Sequence, residues 1–319
     1  MDIRQSSRII LFALTLAAVT SACQRPSRSE TADGDLVAGS MMFDGRERTY
    51  QLFEPPRVAA EQSVPLVLLL HGGGGSGAQM CGLKGTVAEA ARAGGALVAC
   101  PDGVEGHWND GRRIDDYTAH SEDVDDVGFL LALGAELEQS QHIDPDRIYV
   151  SGVSNGGMMA LRMACEASDR IAAVAAIIAN LPADLECMPS SPMSVLLING
   201  TEDPLMPWAG GEIRFLRRRL GLVLSTNATV GLWVGVDDCS PEATVEALPD
   251  SDPDDGTRVR SDRFVGCDRG TEVRLYTVQG GGHALPGGEQ YAPRALIGRV
   301  SHDLNAGEAV WEFFQSGTR

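Results

Sequence analysis

Residues 147–160 read Arg147-Ile148-Tyr149-Val150-Ser151-Gly152-Val153-Ser154-Asn155-Gly156-Gly157-Met158-Met159-Ala160. Ile148 to Val150 is β-branched and aromatic, which suits a buried strand. Gly152-Val153-Ser154-Asn155-Gly156 fits G-x-S-x-G. Met158 to Ala164 then shows the small and apolar faces of a helix. Strand, sharp turn and helix is the setting in which this motif carries meaning. The flanking glycines let the backbone turn without a Cβ clash. The turn lifts the Ser154 hydroxyl above a sheet edge, with a helix N-terminus beneath it. An idle serine in a Gly-rich turn would read the same over these five positions, so the rest of the chain decides.

Upstream, Pro65 to Leu70 is a continuous apolar run, expected to be a strand buried on both faces. It ends in His71-Gly72-Gly73-Gly74-Gly75-Ser76-Gly77. The Lys-Ser/Thr of a phosphate-binding loop is missing. An oxyanion loop fits better, with unhindered N–H groups aimed at a developing negative oxygen. Gly73 is the expected first donor and the N–H of Asn155 the second. His71 is expected to order the loop.

Downstream, Val195 to Gly200 is a strand that runs into Thr201-Glu202-Asp203-Pro204. Val273 to Val278 is a strand that runs into Gly280-Gly281-Gly282-His283. Further strands are expected at Gly95–Cys100 and Ile171–Ile178, and helices at Thr86–Ala93, Val127–Gln139 and Thr226–Val236. Asn305 caps a last helix through Phe314. Asp125 and Asp126 read as caps of the Val127 helix. Met41 to Phe53 holds Asp44-Gly45 between two strand-like runs, a hairpin on the edge of a larger sheet. Alternating strands and helices give an α/β fold, a mostly parallel, doubly wound sheet covered by helices on both faces. Functional groups collect at the strand C-terminal ends of such sheets. Ser154, Asp203, His283 and the Gly72–Gly75 loop all fall on that edge.

A serine hydroxyl needs a base to become a nucleophile. His283 is the expected base and Asp203 its orienting carboxylate, with Gly280 to Gly282 leaving the histidine loop free to swing over Ser154. His107, His120, His142 and His302 do not follow strands, and nor do the rival carboxylates Asp184 and Asp237. Trp108 and Trp208 flank the expected cleft. They either touch substrate or pack the loops. No His/Cys/Asp spacing suggests a metal, so no metal or cofactor is expected.

The chain has 319 residues, 43% of them hydrophobic, and a net charge of −18. That charge argues against a nucleic-acid partner, because phosphates would be repelled. Arg4 and Arg8 precede an apolar stretch, Ile9 to Val19, of signal-peptide length. Thr20-Ser21-Ala22-Cys23 resembles a bacterial lipoprotein cleavage site. Residues 1–22 are therefore expected to be a signal peptide and residues 23–36 a polar tether, with Cys23 lipidated or, failing that, ordinary signal cleavage. Residues 37–319 would be one catalytic domain, exported and extracellular or periplasmic. Any membrane contact would run only through Cys23.

Six further cysteines in an exported chain suggest disulfides, with buried free thiols as the alternative. Sheet topology narrows the pairing. Cys81 and Cys100 lie at the top of the sheet. Cys165 and Cys187 lie at the bottom, as do Cys239 and Cys267. Cys81–Cys100, Cys165–Cys187 and Cys239–Cys267 are the pairs expected, each worth about 3 kcal/mol in the chain-entropy account.

His71-Gly72-Gly73-Gly74-Gly75-Ser76, Pro101-Asp102-Gly103, Trp108-Asn109-Asp110-Gly111, Gly152 to Met158 and Gly280-Gly281-Gly282-His283 occur in that order. Together they resemble the polyhydroxybutyrate depolymerase and feruloyl esterase family of α/β-hydrolases, also grouped as carbohydrate esterase family 1. The resemblance spans roughly Gly39 to Phe314. It implies a secreted serine esterase with Ser154, Asp203 and His283 as its triad, acting on hydroxybutyrate oligomers or on feruloyl or other aryl esters. The family's usual G-G-H-T-W-P-G-G carries Ala284-Leu285 here in place of Thr-Trp. No substrate-binding domain follows Phe314, so soluble or oligomeric esters are expected rather than insoluble polymer. A polysaccharide deacetylase, a serine peptidase on the same fold and a non-catalytic surface binding protein are the competing expectations.

Overall fold

The computed structural model describes residues 36–55 and 63–317. The signal segment, Cys23 and the tether up to Asp35 lie outside them. Leu36, assigned above to the tether, already pairs with Phe53.

The chain runs β1 (Leu36–Phe43), β2 (Arg46–Phe53), β3 (Val64–Leu70), α1 (Gly77–Gly82), α2 (Val87–Ala93), β4 (Leu97–Pro101), α3 (Thr118–Ser121) and α4 (Asp126–Gln141). It continues with β5 (Ile143–Val153), α5 (Asn155–Glu166), β6 (Ala173–Ile177), β7 (Ser194–Gly200), β8 (Gly211–Phe215), β9 (Arg218–Val223) and α6 (Thr226–Val236). The last elements are β10 (Thr244–Ala247), β11 (Arg258–Phe264), β12 (Val273–Gln279), α7 (Arg294–Ile297) and α8 (Ala306–Ser316).

Ten strands form one sheet in the order β1-β2-β4-β3-β5-β6-β7-β12-β11-β10. β4, β3, β5, β6, β7 and β12 pair in parallel. Both edges are antiparallel, β1-β2 on one side and β11-β10 on the other. The Asp44-Gly45 hairpin forms as expected, both residues at positive φ. The far edge was not read from the sequence, which assigned no strand between the Thr226–Val236 helix and β12. β10 is exposed along its length and β11 carries three arginines, so neither looks like a buried strand. The edge strand itself, β10, is only 4 residues long, and short edge strands resist pairing with other chains.

β3 shows why the centre is so apolar. Leu66, Leu68 and Leu70 join the core layer beneath α4, α5 and α6, while Val67 and Leu69 join the layer beneath α2 and α8. Alternate residues thus point into two dry layers. The helix at Thr226–Val236 matches its expected bounds, and α4 starts one residue earlier than expected. The three cysteine pairs close as expected, Cys81–Cys100, Cys165–Cys187 and Cys239–Cys267.

Asp237 ends α6 and is wholly buried. Its carboxylate accepts the Met193 N–H at 3.0 Å, tying α6 to the chain entering β7. Burial, with Asp268 adding repulsion, pushes its pKa up to about 6. Stability from the protonated form is complete below the ordinary carboxylate value and is lost as pH rises through the folded value. An Asp237→Asn variant keeps an acceptor and cannot ionise. It should gain on the wild type as pH rises from 5 to 8, reaching about 1–3 kcal/mol. Thermal melts across that range would show it, and parallel curves would refute it.

Candidate active site

The turn after β5 is forced. Ser154 has φ 52° and ψ −118°, a conformation that L residues avoid and that costs about 1–3 kcal/mol. It is held because the Ser154 N–H donates to Ile177 O at 2.9 Å and the Ser154 carbonyl accepts from Met158 N at 2.9 Å. A side chain at Gly152 would run into the Gly156 carbonyl, and one at Gly156 into the carbonyls of Leu70 and His71. Only glycine lets the turn sit this close to β3.

The strand ends bring three distant residues together. His283 Nε2 lies 3.0 Å from Ser154 Oγ, and His283 Nδ1 lies 2.8 Å from Asp203 Oδ2. Asp203 uses its other oxygen to accept the N–H groups of Leu205 and Met206, at 2.8 and 2.7 Å. The Asp203 and His283 side chains are both buried, while Ser154 keeps some exposure. Asp184 takes no part, and Asp237 serves α6.

The glycines before His283 do not loosen it, contrary to expectation. Gly282 N–H donates to Arg299 O at 2.9 Å, His283 N–H to Ile297 O at 2.5 Å, and Glu202 N–H to Gly281 O at 2.9 Å. A side chain at Gly282 would strike Ile297 O. The glycines permit this close packing, and Tyr291 adds a hydrogen bond from its hydroxyl to His283 O at 2.9 Å. The imidazole is preset rather than swung into place.

The His71–Gly75 loop lies against the serine turn. A methyl in place of the Gly72 hydrogen would sit 3.7 Å from Ser154 Cβ, and one on Gly73 would sit 3.8 Å from Asn155 Cβ. Gly73 is exposed, and neither its N–H nor that of Asn155 donates to protein among the described residues. His71 orders the loop, as expected. Its Nε2 accepts the Gly103 N–H at 2.9 Å and its Nδ1 donates to Gly72 O at 2.8 Å. Burial pushes the His71 pKa down, which keeps this neutral tautomer.

Trp108 is a correction. It is wholly buried, lies with its ring tilted 5.0 Å from that of His71 and donates its indole N–H to His71 O at 3.0 Å, so it packs the His71–Gly75 loop from within. Trp208 is half-buried and packs against the core, its carbonyl accepting the Thr226 N–H at 2.9 Å. Asp125 caps α4 through the Gly128 N–H, but Asp126 is more than a cap. It is fully buried, 2.7 Å from Arg48 Nη2, and accepts the Asn109 N–H at 2.7 Å. Burial raises its pKa in spite of Arg48.

The Asn155 side chain was not singled out in the sequence. It accepts the Trp108 N–H at 2.9 Å and donates to Trp108 O at 3.0 Å and to Asp110 at 2.6 Å. Asp110 is fully buried against Arg112, with Nη2 at 2.8 Å. Burial opposes its charge, but Arg112 and His120 hold its pKa below the usual carboxylate range. The Asp-x-Arg spacing at 110–112 was the one available signal. His107 stands 3.3 Å from where a Gly73 side chain would begin, and stacks on Tyr117 at 3.7 Å. Among the described residues no group of His, Cys, Asp or Glu is placed to hold a metal, and no helix is long and apolar enough to cross a membrane.

The geometry is a hydroxyl hydrogen-bonded to an imidazole, beside two N–H groups that find no protein acceptor among the described residues. The family profile for the alpha/beta hydrolase fold matches residues 65–250. NocK of Nocardia uniformis subsp. tsuyamanensis, which carries a provisional esterase name, is 33% identical over 299 residues, covering 91% of this chain and 86% of NocK. Feruloyl esterase B of Piromyces equi is 28% identical over 239 residues, 72% of this chain and 41% of that protein. Among solved structures, an acetyl xylan esterase from Aspergillus awamori shares the fold at TM-score 0.56 and 14% identity, over 88% of this chain and 99% of the other. The chain belongs to the α/β-hydrolase fold family, among its esterases.

Proposed function

We propose that the protein is a serine esterase that cleaves carboxylic esters through an acyl-enzyme, with Ser154, Asp203 and His283 as its catalytic triad. The observation that carries this is the unbroken hydrogen-bonded line from Asp203 through His283 to Ser154, at 2.8 and 3.0 Å. Asp203 fixes the Nδ1–H tautomer, which leaves Nε2 free to take the Ser154 proton as Oγ attacks the ester carbonyl. The N–H groups of Gly73 and Asn155 receive the oxyanion, each donor worth about 3 kcal/mol in the transition state. His283 passes the proton to the leaving alcohol. It then takes a proton from water, whose oxygen attacks the acyl carbon, and returns that proton to Ser154 Oγ as the acyl–Oγ bond breaks.

Small or oligomeric esters of the feruloyl, other aryl or hydroxybutyrate type are the proposed substrates. The feruloyl esterase names among the relatives and the aromatic His107–Tyr117 wall beside Gly73 support the aryl choice. Export, with Cys23 as a lipid anchor, is proposed from the N-terminal sequence and is supported by the three disulfides. The test has two arms. A fluorophosphonate probe should label Ser154, because only an activated serine reacts. Methyl ferulate and hydroxybutyrate dimers should be hydrolysed faster than acetylated xylan or peptides. Failure to label would defeat the triad, and preferred acetate release would move the substrate to polysaccharide acetyl groups.

A further inference from the structure

The β8–β9 hairpin is unexplained by the triad. Its tip reads Arg214-Phe215-Leu216-Arg217-Arg218-Arg219, a dense cationic run in a chain of net charge −18. It breaks two local rules at once. Leu216 turns the hairpin at φ 57°, where leucine is disfavoured, and it is 80% exposed. Arg214 and Arg219 are direct cross-strand partners, a like-charge pairing that weakens a hairpin. Glu212 answers both, at 2.6 and 3.4 Å, and Arg217 meets no carboxylate among the described residues. Local violations of this kind mark functional segments.

The hairpin is also joined to the site. Arg112 Nη1 donates to Leu220 O at 2.5 Å, and Ala183 N–H to Leu222 O at 2.9 Å. The Arg218 guanidinium lies 5.2 Å over the Tyr117 ring, Tyr117 stacks on His107, and His107 stands against Gly73. A continuous column thus links the arginines to the oxyanion loop.

We propose that the β8–β9 hairpin docks an acidic polysaccharide, a uronate-bearing chain whose ester is thereby presented to Ser154. Guanidinium forks match carboxylates in two-point contacts, and a row of them answers carboxylates repeated along a strand. A strand meets only the charges within a Debye length, about 8–10 Å. An anionic membrane plane would also face the rest of this acidic protein, which favours the polymer. The choice of polymer rests on the esterase reading; the anion site does not.

The test is affinity electrophoresis of the full chain through polygalacturonate and, separately, through neutral arabinoxylan. Polygalacturonate should retard it at low salt and not at high salt, and arabinoxylan should not. R214Q/R217Q/R219Q should weaken that binding about tenfold while p-nitrophenyl butyrate hydrolysis stays unchanged. L216G removes the apolar tip and relieves its backbone, and should bind as the wild type does. Equal retardation by arabinoxylan, or no effect of the triple variant, overturns the proposal. So does binding to phosphatidylglycerol vesicles that L216G abolishes, without retardation by polygalacturonate. If p-nitrophenyl butyrate is not hydrolysed but charge-dependent retardation persists, the esterase reading falls and the anion site stands.

Discussion

Ser154→Ala is expected to lower kcat on p-nitrophenyl butyrate by about 10⁶-fold. The reason is geometric. His283 Nε2 has one hydroxyl within reach, at 3.0 Å, and without it the base has no proton to take. The oxyanion donors alone would leave about 10³-fold catalysis over water. His283→Ala should cost about as much as Ser154→Ala, and the double variant little more, because the two act as one unit. Asp203→Asn should lose about 10⁴-fold, since an amide can turn the imidazole to the wrong tautomer. The fold should survive Ser154→Ala, because alanine bears the same positive φ as serine. Ser154→Gly relieves it, and should be more stable by about 1 kcal/mol while being equally inactive. Activity in Ser154→Ala comparable to wild type would remove the hydroxyl from the reaction. A Ser154→Gly variant less stable than wild type would show that the turn stores no strain.

Much of this site was legible because each part follows a strand buried on both faces. Runs such as Leu66 to Leu70 and Val195 to Ile198 leave no choice but a covered parallel sheet. Once the strands are placed, Ser154, Asp203 and His283 fall on one edge. The cysteine pairs follow from the same placement. What stayed hidden depends on partners brought from afar. Trp108 read as a cleft aromatic because nothing in the sequence says that His71, 37 positions away, closes over it. Gly280 to Gly282 read as a flexible loop because glycine serves motion and close packing equally well. The chain near Arg299 decides for packing. β11 was missed because its arginines and aspartate look solvated, yet Asp262 is buried beneath the Arg260 side chain, 2.8 Å away.

The second large effect is expected far from the reacting atoms. Asp110→Ala should destabilise the protein by about 3–5 kcal/mol, because it leaves the buried Arg112 guanidinium without a counter-charge. For a chain of this size that is a fall in melting temperature of about 5–8 °C. Activity should fall as well, through kcat. Asp110 also accepts from Asn155 Nδ2 at 2.6 Å, and that amide grips both backbone groups of Trp108. Trp108 in turn holds His71, and His71 shapes the loop that carries Gly73. Loosening this chain shifts both oxyanion donors, and a displacement of about 1 Å costs about 10²-fold. The two effects separate in a double variant. Asp110→Ala with Arg112→Met removes the stranded cation, so most of the stability should return. The acceptor for Asn155 is still missing, so kcat should stay low. A double variant that recovered both stability and kcat would make Asp110 a charge partner for Arg112 and nothing more. A single variant that melted like the wild type would remove the buried pair from the stability of the site altogether.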